Sequence, residues 1–184
     1  GHGLGAGFLG LANSAAAGVL PEQTNGFNIE GLTFAPNGTT AYVAFRAPNE
    51  PTTSRDKALI VPVTNFTSLL SPSGGTAGSA TFGAPIQLDL GGRGIRSIDR
   101  NSSGEYVIIA GTAGSATGIT PSDFRLYTWT GNPSDAPSLR SAHLTALNSG
   151  GSFESIIEVP NNLTDSTPIP LLVDNGDTVW YNNG

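Results

Sequence analysis

One short motif occurs three times in this chain, and its recurrence constrains the fold more than any other feature. Asn28-Ile29-Glu30-Gly31-Leu32-Thr33-Phe34 is echoed by Gly94-Ile95-Arg96-Ser97-Ile98 and by Ser152-Phe153-Glu154-Ser155-Ile156. Each copy sets an apolar residue, a charge, a small residue and a second apolar residue in line. The copies are offset by 66 and then 58 residues, a spacing suited to a repeated sheet unit with long loops. Side chains alternate along a strand with period two. The charge of each copy is therefore expected on the face opposite its apolar neighbours, or where the strand enters an open channel.

The rest of the composition agrees with strands. Gly, Ser, Thr, Asn and Pro are abundant while Glu and Lys are few, which lowers helix propensity and favours strands joined by turns. An all-β fold follows, and 184 residues suffice for one domain with a core. Charged residues make up 12% of the chain and the net charge is −6, with Lys57 the single lysine. That balance argues against nucleic acid, whose phosphates demand clustered Lys and Arg. Cysteine is absent, which removes disulfides and thiolate metal sites. No segment reaches the roughly 18 consecutive apolar residues of a membrane span.

Turn signals divide the chain into a lead-in and three units. Residues 1–26 form the lead-in, with a short helix expected within 4–20. A first unit, 27–92, places strands at 27–35, 40–47, 57–64 and 85–90, the first two joined by Pro36-Asn37-Gly38-Thr39. Asn-Gly is a strong hairpin signal because both residues tolerate positive φ. The second unit, 93–150, repeats the scheme with strands at 94–100, 105–111, 124–130 and 139–147. The third, 151–184, opens at 153–159 and pairs 169–173 with 178–181 across Asp174-Asn175-Gly176-Asp177. About two and a half four-stranded units of this kind are the sequence picture of β-propeller blades, each burying its faces against its neighbours. A β-sandwich is the alternative. Closed propellers need about 4 to 8 blades, so the remainder of a larger propeller, or other subunits, is expected to cover the open faces and edges.

Several blocks together carry a resemblance. Asn28-Ile29-Glu30-Gly31-Leu32, Ala44-Phe45-Arg46-Ala47-Pro48, Lys57-Ala58-Leu59-Ile60-Val61-Pro62-Val63, Gly92-Arg93-Gly94-Ile95-Arg96-Ser97-Ile98 and Phe124-Arg125-Leu126-Tyr127-Thr128-Trp129 follow in order over roughly 27–180. This resembles a family of predicted secreted propeller proteins catalogued as a domain of unknown function, itself distantly similar to the phytase-like esterase propellers. The wider resemblance implies a calcium-dependent phosphoester hydrolase with an acidic residue on the opening strand of a blade.

The charges within these blocks are the ligand-binding candidates: Glu30, Arg46, Lys57, Arg93, Arg96 and Glu154. Guanidinium forks can hold a phosphate or carboxylate through paired bonds, and carboxylates can hold calcium through oxygen. The structural alternative is a buried ion network among Glu30, Arg96 and Glu154 that fixes blade register. Asp174 and Asp177 are further oxygen ligands in principle, but they lack the remaining ligands of a calcium loop and read first as a hairpin turn; Asp123 reads likewise. Two histidines, His2 and His143, do not suggest a transition-metal pair, and no Gly-x-Ser-x-Gly elbow occurs. Tyr42, Tyr106, Tyr127, Trp129, Trp180 and Tyr181 read as packing residues. Asn-x-Ser/Thr sequons at Asn37, Asn65, Asn101 and Asn162 point to a secreted glycoprotein. Two functions remain: an extracellular module that binds a partner or ligand or builds an assembly, and a phytase-like hydrolase.

Overall fold

A computed structural model describes residues 7–70, 78–114, 123–147 and 151–176. Strands β1 (Asn28–Phe34), β2 (Ala41–Ala47), β3 (Ala58–Val63) and β4 (Ile86–Leu88) form one antiparallel sheet in chain order. A second sheet holds β5 (Gly94–Arg100), β6 (Tyr106–Gly111), β7 (Arg125–Trp129) and β8 (Ser138–His143), again in chain order. A third pairs β9 (Ser152–Ile156) with β10 (Leu171–Asp174). The fold is all-β. Its described helices are single turns, α1 (Leu11–Ser14), α2 (Phe66–Leu69) and α3 (Leu144–Leu147). The pairing expected for 178–181 lies outside the described residues, as do Trp180, Tyr181 and His2.

Strand β6 of the middle sheet is buried on both faces. Along β6, Tyr106, Ile108 and Ala110 pack with Tyr42, Ala44, Ile60, Leu88, Ile95 and Ile98 in a core between the first two sheets. The intervening Val107 and Ile109 pack with Phe124, Leu126, Phe153, Ile156 and Val159 in a second core, toward β9 and β10. An apolar run that is buried throughout is what a strand shows when both of its faces are covered. The opening strands β1, β5 and β9 lie next to one another. Gly31 marks the closeness of β1 and β5, since a Cβ there would stand 2.8 Å from Ile98 Cγ2 and 2.9 Å from Ala44 Cβ.

Strict alternation fails at the recurring motif, for a specific reason. In β1 the register jumps between Ile29 and Gly31, in β5 between Ile95 and Ser97, and in the β9/β10 pair between Phe153 and Ser155. Glu30, Arg96 and Glu154 are the residues passed over. Each is the extra residue of a β-bulge, so the apolar residues three apart return to one face and the charge is turned out of the ladder. Ile95 and Ile98 accordingly share one core, and Phe153 and Ile156 share the other. One further expectation is corrected. The strand expected over 139–147 ends at His143, where Leu144 buries itself by turning into α3. The short helix expected within the lead-in is present, as the single turn Leu11–Ser14.

Candidate functional site

Three bulges on three neighbouring strands bring their charges together. Arg96, only 4% exposed, places Nε 2.6 Å from Glu30 Oε2, while its Nη2 donates to Glu154 Oε1. Arg46, on β2, donates from Nη1 to Glu30 Oε1 at 3.1 Å. Glu30 thus spans two guanidiniums, and Arg96 spans the carboxylates of β1 and β9. The Arg96 guanidinium also lies over the Phe124 ring, 5.4 Å from its centre. Gly111 makes room for this packing, because a Cβ there would meet Phe124 Cε1 at 2.7 Å and Arg96 Cγ at 2.9 Å. Two arginines and two glutamates balance in formal charge, as a buried ionic cluster must.

Arg93 belongs to a second cluster. Its Nη2 donates to Asp123 Oδ1 and its Nε to the Asp123 main-chain oxygen at 3.1 Å. Arg125 Nη1 stands 3.8 Å, and His143 Nε2 3.3 Å, from Asp123 Oδ2. Burial alone would raise the Asp123 pKa, but the Arg93 hydrogen bond and charge, with Arg125 beside them, hold it below the ordinary value. Lys57 stands outside both clusters and pairs with Asp89 at 2.8 Å. Of the six charges singled out in the sequence, Glu30, Arg46, Arg96 and Glu154 meet, and Arg93 and Lys57 are engaged elsewhere.

The remaining candidates have ordinary local explanations. Asp174 Oδ1 accepts the Gly176 amide at 2.7 Å, the geometry of a turn; Asp177 lies outside the described residues. Among the described residues no three His, Asp or Glu side chains are grouped to hold a metal ion. Asn37 and Asn162 are exposed, and Asn65 is partly so. Asn101 is buried, and its Nδ2 donates to Glu105 Oε2 at 2.7 Å and to the Pro160 carbonyl at 2.9 Å. A glycan at Asn101 would have to displace those bonds.

Sequence reasoning missed Glu50. It sits in the polar loop between β2 and β3, joined to Lys57 by paired backbone bonds of 2.7 and 2.8 Å. Its side chain has no exposed surface, and neither carboxyl oxygen has a hydrogen-bond partner among the described residues. Arg55 Nη1 approaches to 3.6 Å while donating to the Asn49 carbonyl at 2.8 Å. Burial pushes the Glu50 pKa up to about 7 against the lowering pull of Arg55. Its position between Asn49 and Pro51 looks like solvent-facing loop, so no periodic signal could have found it.

No protein-family model, curated protein or solved structure matches the chain. The resemblance to secreted propeller proteins therefore rests on the motif blocks alone.

Proposed function

We propose that the three sheets are successive blades of a β-propeller, and that the protein is a non-catalytic extracellular module that binds a partner or builds an assembly. The meeting of Glu30, Arg96 and Glu154 carries this reading. Three opening strands repeat one bulge at one motif position, and the displaced charges satisfy one another instead of standing free for a substrate. In this reading the cluster is a clip that holds the opening strands in register. The sequons at Asn37, Asn65 and Asn162, which are exposed or partly so, support a secreted location, and the rest of a larger propeller, or further subunits, covers the outer sheet faces.

The phytase-like alternative draws on the same residues: two guanidiniums to grip a phosphoryl group and two carboxylates to hold calcium. What favours it is the convergence of both residue types at one place. Arg96→Met separates the two readings. The clip predicts a loss of about 2–4 kcal/mol in denaturant unfolding, because Glu154 loses its cation and Glu30 keeps only Arg46. It also predicts no calcium-dependent phosphate release from a panel of phosphomonoesters by the parent protein. Turnover that requires calcium and disappears in Arg96→Met would instead establish the hydrolase.

A further inference from the structure

The chain has eight Lys and Arg side chains, and seven of them donate a hydrogen bond to a described residue. Arg125 donates none among the described residues. Its Nη1 lies 3.8 Å from Asp123 Oδ2, beyond hydrogen-bonding reach, and its Nε is buried without a partner. Asp123 is not free to close that gap, because Arg93 grips both its carboxylate and its main-chain oxygen. Arg93 is anchored in turn, with Nη1 donating to the carbonyls of Leu90 and Gly91 at 3.2 and 3.3 Å. The backbone of Arg125 is fixed between Ala110 of β6 and His143 of β8. His143 is 44% exposed and touches the same Asp123 oxygen.

Two guanidiniums against one carboxylate leave a local surplus of one positive charge in a chain of net charge −6. That surplus rests on the arginine whose donors make no hydrogen bond among the described residues. The geometry points to a binding site for a carboxylate group, gripped by Arg125 and bordered by His143. A guanidinium presents planar, paired N–H donors that match the two oxygens of a carboxylate. A single monoanion also neutralises the surplus of the two guanidiniums over Asp123, whereas a phosphate dianion would exceed it. The ligand is a small organic acid or the acidic group of a larger molecule. This assignment does not depend on the propeller reading, since it uses none of the residues of the Arg96 clip.

The test is titration of the whole chain with acetate, followed by NMR at neutral pH and constant ionic strength, with inorganic phosphate in parallel. Saturable acetate binding in the millimolar range is expected. Arg125→Gln should weaken it at least tenfold without lowering the melting temperature appreciably, and Arg125→Lys should weaken it several-fold by keeping the charge and losing the fork. Arg140→Gln should leave binding unchanged, because among the described residues the Arg140 guanidinium bonds to the Thr128 and Asp165 side chains, at the other end of β7 and in the 160s loop. Absence of saturation, or equal affinity in both Arg125 variants, would overturn the site. Phosphate binding tenfold tighter than acetate would overturn the carboxylate assignment. Arg125→Lys alone decides the matter should Arg125→Gln not fold.

Discussion

Glu50 shows how much one side chain can control without forming part of a motif. A carboxyl sealed from water favours its neutral form, and here the folded-state pKa is raised from 4.5 to about 7. The sign of the linkage follows. The folded protein binds the proton more tightly than the unfolded chain, so the stabilising contribution is complete below pH 4.5. It is lost as pH rises through 7, where a charge must be kept buried. The loss amounts to about 3 kcal/mol. Glu50→Gln cannot titrate and should escape it, matching the parent protein in acid and exceeding it in stability above pH 7. Urea unfolding of both proteins across this interval checks the expectation, and a stability difference that stayed constant with pH would refute it. Asp123 works in the opposite sense. Its lowered pKa adds stability above the ordinary carboxylate value, and that contribution disappears as pH falls through the folded-state value. Asp123→Asn should therefore flatten the acid limb of the same profile.

At the level of strands, the hairpins were legible because their causes are local. Asn37-Gly38 and the Asn101-to-Gly104 turn place glycines at φ of 71° and 84°, where other residues are strained, and the strands flanking them lie where the pattern put them. The bulges were legible only as an anomaly. In the recurring motif the apolar residues stand three apart, an odd interval that no regular strand can bring to one face. That interval is the signature of an inserted residue, and a rule of strict alternation has no place for it. The close approach of β5 to β2 was likewise invisible, because it arises between sheets. A Cβ on Gly94 would stand 1.9 Å from the Arg46 carbonyl oxygen, and backbone cannot rotate aside as a side chain can. Gly94→Ala should cost about 2–4 kcal/mol by forcing the sheets apart and should loosen the Arg46–Glu30 contact next to it. Gly78→Ala, with open space around its position, should change stability by less than about 0.5 kcal/mol. Thermal unfolding of the two variants measures the contrast, and equal melting temperatures would contradict it.

Among the described residues the molecule is a stack whose middle sheet is covered on both sides along β6 and whose end sheets are covered on one. On β1, Gly31 and Thr33 face the core while Leu32 and Phe34 face outward, and Leu32 is 57% exposed. Some of this outward face is covered locally, by Phe27 against Phe45 and by Phe66 against Phe34. At the opposite end Leu171 and Val173 pack inward, leaving Leu172 55% exposed next to an equally open Ile157. Isolated apolar residues on a surface need no explanation, but apolar residues aligned on the outer faces of both end sheets are the kind of surface another sheet covers. In the propeller reading each face meets a further blade, so the isolated chain of 18.8 kDa should associate in solution. Light scattering after gel filtration should give a native mass well above that of one chain and rising with concentration. Introducing charge at both faces through Leu32→Lys and Leu172→Lys should return the protein to the mass of one chain with little change in its unfolding, because neither side chain contributes to the two cores. A parent protein that stays at 18.8 kDa over a wide concentration range would show that these faces tolerate water. The stack would then be complete as three sheets, and the sandwich reading would replace the propeller.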